Sequence, residues 1–266
     1  MNLSDTQPRV TRFFNDFAPT YFSRYEMRNQ DGHSFRIRKQ RVLEGLHDLP
    51  SGATVLDVGC GPGVMIRELL ARDFRVIATD IAPAMIEECR RRFGDEPRLT
   101  LAVTSAEQLP VADSSVDAVI AMGLVEYLPD DEAVLREFAR VLKPNGRLIV
   151  TLPHEACPSR LWDRLTKFLA RPIVLAVRRA RGKTIPQVIH REYRVNTYRQ
   201  LCEAAGLNVT NVIFYNMKFF LRPLDRLFPS LGVWCSERLE RFGRTPMIRR
   251  LGTGFIVFGR KHSPNQ

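Results

Sequence analysis

Thr54-Val55-Leu56-Asp57-Val58-Gly59-Cys60-Gly61-Pro62-Gly63 leaves this chain few options. Apolar residues run into an acid, break into three glycines at alternate positions, and resume as Val64-Met65-Ile66-Arg67-Glu68-Leu69-Leu70. The pattern predicts a strand, a tight turn and a helix. Glycines let a backbone approach a ligand, and the free N–H groups opening the next helix can hydrogen-bond it. A second strand-like run, Arg75-Val76-Ile77-Ala78-Thr79, then delivers Asp80. That is about the spacing at which a dinucleotide fold sets a carboxylate on a ribose, whose two hydroxyls suit one carboxylate. The turn reads GxGxG, not GxGxxG, and Asp57 stands before it. That acid serves a pyrophosphate poorly and favours a ligand carrying an ammonium group.

Together with Asp80-Ile81-Ala82-Pro83-Ala84-Met85 and Ser105-Ala106-Glu107-Gln108-Leu109-Pro110, this turn resembles the class I S-adenosylmethionine-dependent methyltransferases. The branch it resembles holds the ubiquinone/menaquinone-type and other small-molecule enzymes, and the likeness runs over residues 10 to 155. The resemblance implies an α/β fold: a Rossmann-like, seven-stranded, mostly parallel sheet with helices on both faces. It also implies S-adenosyl-L-methionine as cofactor and a small-molecule methyl acceptor. In the glycine turn the implied cofactor residues are Asp57, Gly59, Gly61 and Gly63. Asp80, Ile81 and Met85 follow the second strand, with Met85 a core residue that brushes the adenine. Ser105, Ala106 and Glu107 lie at the adenine edge. Many relatives have an acid where Ser105 stands, so that contact runs through a hydroxyl or the backbone. Ala121 and Met122 end the fourth strand.

Aromatics at Phe13, Phe14, Phe17, Tyr21 and Tyr25 recur at helical spacing, with Pro19 interrupting the helix. The segment resembles the entry lid of small-molecule methyltransferases, with Tyr21 on the cofactor; an aromatic stripe packed on the core is the other reading. Ser34 to Leu46 reads as a basic amphipathic helix, from which Arg36 either reaches the cofactor carboxylate or stays solvated.

The chain order predicts a single domain over 1–266: N-terminal lid helices over 1–50, a cofactor core over 51–156, cap insertions with closing elements over 157–250, and a last strand and tail over 251–266. Leu99–Val103, Ser115–Met122 and Arg147–Leu152 read as strands, and Asp130–Leu142 as a helix closed by Lys143-Pro144-Asn145-Gly146. Past residue 155, Thr197–Ala205 reads as a helix, while Asn208–Asn216 and Gly254–Gly259 read as the closing strands. Two insertions, near 157–190 and 217–250, are expected to form a helical substrate-side cap.

The chemistry narrows by exclusion. Five cysteines lie scattered without a CxxC pair, which disfavours a metal, iron–sulfur or disulfide framework. Ala121-Met122-Gly123-Leu124 carries neither the Pro-Pro-aromatic signature of adenine-N6 methylation nor a Pro-Cys nucleophile. What remains is metal-free transfer to an oxygen, or to an activated carbon or nitrogen, of a small and hydrophobic molecule such as a quinone, lipid or polyketide-type metabolite. His154, directly after the fifth strand, and His190, in a polar patch of the cap, are the candidate catalytic residues; Glu126, Tyr127 and Tyr193 are candidates by position.

The net charge of +11 is unevenly spread. Residues 160–266 hold 21 Lys/Arg against 6 Asp/Glu, and residues 1–159 hold 19 against 23. A basic half of this kind meets an anionic partner. An RNA methyltransferase would use it as a phosphate footprint, but no RNA-binding module is recognisable, so nucleic acid is disfavoured; a non-catalytic cofactor binder is the other alternative. Arg160, Arg164, Lys167 and Arg171 share one helical face opposite Leu161, Leu165, Phe168 and Leu169, ahead of the basic run ending at Lys183. Residues 160–183 are therefore expected either to meet an anionic membrane or to pack their apolar face on the core with solvated arginines. No apolar run reaches transmembrane length and Met1-Asn2-Leu3-Ser4-Asp5 is not a signal peptide, so the expected location is cytoplasmic, peripheral to a membrane if that stretch binds one.

Overall fold

A computed structural model describes residues 6–166, 168–169, 190–222, 224–243, 245 and 247–262. Its strands are β1 (Thr54–Val58), β2 (Arg75–Asp80), β3 (Leu99–Val103), β4 (Val116–Met122), β5 (Leu142–Pro153), β6 (Leu207–Met217) and β7 (Gly252–Lys261). They form one sheet in the order β3-β2-β1-β4-β5-β7-β6. β7 is antiparallel to both its neighbours, and the pairs from β3 to β5 are parallel. Parallel strands covered on both faces must be apolar on both, which is why β1 and β4 read as unbroken apolar runs apart from one acid each. Alternation then divides them between two cores. Leu56, Val119, Ala121, Val150 and Val257 face one layer; Val55, Ala118, Ile120, Ile149 and Ile256 face the other.

The helices are α1 (Thr6–Phe17), α2 (Ser23–Glu26), α3 (Gln30–Glu44), α4 (Ile66–Leu70), α5 (Pro83–Phe93), α6 (Asp131–Val141), α7 (158–166), α8 (Val195–Ala204), α9 (Leu224–Leu227) and α10 (Pro229–Glu240). α3 starts four residues before the expected Ser34, because the Asn29 side chain accepts the Gly32 N–H at 2.9 Å and so caps an earlier turn. α6 is capped in the same way by Asp130, which accepts the Ala133 N–H at 3.0 Å. A single-turn 3-10 segment at Ala18–Thr20 absorbs Pro19, as its missing N–H requires.

Where it is described, the 160–183 stretch departs from the expectation of an apolar face packed on the core. Arg160 and Arg164 both pair with Glu192, Arg160 at 2.7 Å. Leu161 and Leu165, on the other side of α7, are 51% and 50% exposed. α7 therefore presents an exposed apolar face beside arginines that pair with Glu192. Lys167 and residues 170–183 lie outside the described residues. Among those described, no helix is long and apolar enough to cross a membrane.

Candidate functional site

The sheet order reverses between β1 and β4, so the carboxyl ends of these strands open a crevice. The glycine turn that follows β1 forms its floor. Gly59, Gly61 and Gly63 all have positive φ, at 69°, 55° and 83°. The Gly59 and Cys60 amides donate to the Thr79 carbonyl at 2.7 and 2.9 Å. The Gly61 and Ala82 amides donate to the two oxygens of Asp80, both at 2.9 Å. Two N–H groups thus aim the Asp80 carboxylate while leaving each oxygen a free lone pair. Burial raises the Asp80 pKa, and the same N–H groups oppose that shift.

The three glycines serve different ends. A Cβ on Gly61 would point into the crevice, its nearest neighbour being Tyr21 Cε1 at 3.9 Å. A Cβ on Gly59 would meet Leu124 Cδ1 at 2.8 Å. One on Gly63 would strike Phe93 Cε2 at 2.7 Å and Ile66 Cδ1 at 2.9 Å, so Gly63 closes the packing of α5 on the turn and does not line the site.

The crevice and its open mouth together enclose about 680 Å³, solvent space included. Asp80, Ile81 and Met85 form one wall, and Thr104, Ala106 and Glu107 another. Gln7, Val10, Phe14 and Tyr21 cover it as the entry lid, and Gly123, Leu124 and Tyr127 form its far end. The lid is fastened twice: Gln7 Nε2 donates to Glu107 Oε1 at 3.3 Å, and Phe14 sits edge-on to Tyr127 at 5.1 Å.

Glu107 Oε2 on the crevice wall and Asp57 Oδ2 on the strand leading into its floor are buried carboxylate oxygens without partners. Asp57 is 1% exposed, and burial followed by repulsion from Asp80 pushes its pKa up to about 7. A buried acid without a partner is costly, and it marks a place where a ligand supplies the missing charge or donor.

Four expected cofactor contacts need correction besides Gly63. Ser105 does not line the crevice, whereas Thr104 and Ala106 on either side of it do. Ala121 and Met122 point into opposite cores, because strand alternation carries both side chains away from the strand end. The chain reaches the site only at Gly123, whose amide donates to Thr151 Oγ1 at 2.9 Å. Arg36 is exposed, and its Nη1 donates to the Tyr25 and Met27 carbonyls at 2.9 and 2.7 Å. Arg38 is the arginine that turns inward, with Nη1 2.8 Å from the position a Cβ on Gly123 would take. Counting back in fours from the buried Leu46 and Val42 lands on residue 38, a signal available in the sequence.

Behind Tyr127, outside the lining of the crevice, lies a group of ionisable side chains. Glu126 is 4% exposed, its pKa raised by burial against the pull of Arg38 and Arg160. Glu126 Oε1 lies 3.9 Å from His190 Nε2, and Glu126 Oε2 has no partner. The His190 ring stands edge-on to Tyr127 at 5.4 Å, and burial, then the Arg160 charge, lowers its pKa. The Arg191 amide holds this segment in place by donating to the Glu126 carbonyl at 2.9 Å.

His154 is not part of this group. β5 continues to Pro153, paired with Gly254, so the next residue lies over β7 and not at the rim. Its Nδ1 contacts the Gly252 carbonyl at 3.0 Å, its ring packs on Phe214 at 5.1 Å, and burial lowers its pKa. Tyr193 is also set aside, its hydroxyl donating to Val125 O and Asp131 Oδ1, both at 3.1 Å.

A family model described as methyltransferase domain matches residues 56–150, the segment that runs from β1 to β5 and carries the turn, Asp80 and Glu107. Over these residues the chain is similar to a methyltransferase domain. Over 103 residues it is 36% identical to the ubiquinone biosynthesis O-methyltransferase of Xanthomonas oryzae pv. oryzae (strain PXO99A), a match covering 38% of this chain and 43% of that protein. Over 108 residues it is 37% identical to the 2-methyl-6-phytyl-1,4-hydroquinone methyltransferase of Synechocystis sp. (strain ATCC 27184 / PCC 6803 / Kazusa), covering 40% and 34%. The chain therefore spans less than half the length of these curated relatives. Among solved structures, one of a complex between the Haloferax volcanii Trm112 methyltransferase activator and a methyltransferase shares the fold, with a TM-score of 0.63 at 20% identity over 94% of this chain and 98% of that one. Tyr21, Arg38 and His190 lie outside the matched methyltransferase segment, so the likeness bears on the cofactor turn more than on the far end.

Proposed function

We propose that the protein transfers a methyl group from S-adenosylmethionine to an oxygen, or to an activated carbon or nitrogen, of a small hydrophobic molecule. One observation carries this reading: Asp80 and Glu107 line one crevice and Asp57 lies buried on the strand leading into its floor, each with an oxygen free to accept. Asp57 suits an ammonium, Asp80 a ribose diol and Glu107 an adenine amine. Gly61 leaves room beside them, and Tyr21 and Phe14 cover them. S-adenosylmethionine carries all three complementary groups, and when bound it supplies an electrophilic methyl on a sulfonium.

The chain's own contribution is to position an acceptor and to manage one proton. Leu124, Tyr127 and Leu128 give the far end an apolar surface, and the names of the two relatives, which refer to ubiquinone and a hydroquinone, support an aromatic acceptor. His190, its pKa lowered, takes the acceptor proton at Nε2, and Glu126 stabilises the resulting imidazolium from 3.9 Å.

Under this reading His190→Ala and Glu126→Gln each lower kcat by about 10²-fold and leave cofactor affinity unchanged. The activity also falls only as pH drops below the usual histidine range, because the His190 pKa is lowered. S-adenosylhomocysteine release across a pH series, with calorimetry for the cofactor, checks both. Native kcat in both variants would leave acceptor acidity and proximity to drive the transfer.

A further inference from the structure

We propose that the face formed by α7, α9 and α10 is a docking surface for an anionic phospholipid bilayer. The strongest sign is that α10 is built inside out. Its buried positions are Gly232, Ser236 and Glu240, one strip at spacings of four. Ser236 Oγ accepts from Gln30 Nε2 and donates to the Met217 carbonyl, both at 2.7 Å, and Glu240 Oε1 accepts the Met217 N–H at 2.9 Å. Rolling the helix to bury its other side would break three buried hydrogen bonds, each costly to leave unmade. Leu231 and Trp234 therefore face outward, 48% and 51% exposed.

The apolar side continues onto neighbouring helices. Leu227 of α9 is 65% exposed. The Trp162 indole of α7 donates to the Arg222 carbonyl at 2.7 Å, which ties α7, with its outward Leu161 and Leu165, to the loop opening α9. The chain has two tryptophans, and both lie on this face. Indoles with one apolar and one polar edge suit the headgroup boundary.

Charge selects the occupant. Residues 217–251 hold eight Lys/Arg against three Asp/Glu. Two of the three acids are spent inside: Asp225 on Lys218 at 2.6 Å, and Glu240 on the Met217 amide. Arg222 ahead of α9, and Arg238 and Arg241 at the end of α10, are exposed, and the Arg238 guanidinium lies 4.4 Å from the Trp234 ring centre. Apolar side chains rimmed by arginine match an anionic lipid surface. A second copy fits less well, because a two-fold contact would set one basic rim against another.

The test is flotation of the full chain with vesicles of phosphatidylcholine, and of phosphatidylcholine mixed with phosphatidylglycerol, at low and high salt. Binding is expected to the mixed vesicles at low salt, with a loss of about tenfold or more for Leu227→Glu/Leu231→Glu. In a Trp162→Phe background Trp234 is the one remaining indole, and its emission shifts to the blue on binding. No flotation at low salt overturns the proposal. So does flotation that the double variant retains with Trp234 emission unshifted. A dimer in sedimentation equilibrium that the double variant dissolves, without lipid binding, assigns the face to a second copy instead.

Discussion

Asp80→Ala loses at least about 10²-fold in S-adenosylmethionine affinity, because a hydrogen bond to a charged group contributes roughly 1.5–3 kcal/mol and a ribose diol makes two of them. The same carboxylate holds the Gly61 and Ala82 amides at 2.9 Å. Its removal therefore leaves two buried donors unpaired and loosens the turn, which also lowers Tm by a few degrees (about 2–4 °C per kcal/mol for a chain near this size). Asp80→Asn keeps one acceptor oxygen and falls between the two. Calorimetric titration beside a thermal melt separates the effects; native affinity in a folded Asp80→Ala variant would move the ribose elsewhere.

Gly61→Val also abolishes measurable binding, by a different route. The position has open space in front of it, since the nearest atom to a Cβ is Tyr21 Cε1 at 3.9 Å. The valine methyl groups would fill the part of the crevice between that ring and the turn. The positive φ of 55° adds a backbone penalty of about 1–3 kcal/mol for a β-branched residue, which a marginally stable domain tolerates. Gly63→Ala is the contrasting control. Its Cβ would meet Phe93 Cε2 at 2.7 Å, so it costs stability first. Binding retained by Gly61→Val, or lost in both variants only through unfolding, would reduce the turn to a structural connection.

These contrasts also mark how far the sequence can be read. β1 and β4 are plain in it because a central parallel strand covered on both faces has to be largely apolar. The turn is plain because three alternate glycines have few other uses. The lid was half legible: aromatic spacing placed Phe14 and Tyr21, but the Gln7–Glu107 contact spans the whole cofactor half. Arg36 and Arg38 sit two residues apart on α3 and point about 200° apart round the helix, so the arginine inside could be chosen only by phasing against Val42 and Leu46. Ala121 and Met122 send their side chains into the two cores, and the strand end meets the crevice at Gly123. The far end was least legible. His190 meets Glu126 only because a segment remote from β4 returns to hydrogen-bond it, a pairing that no local pattern records. α10 misleads any reading that sends apolar faces inward, since its inward face is set by the partners of Ser236 and Glu240.

The central claim is that the crevice carries out methyl transfer to a small acceptor. Incubation with S-adenosylmethionine labelled in its methyl group, in the presence of both a small-molecule extract and RNA, tests it most directly. The account predicts label in an organic-extractable product, with S-adenosylhomocysteine formed in equal amount, and no product in the Asp80→Ala variant. Label in the RNA fraction, or cofactor binding with no label transferred to any acceptor, would contradict it.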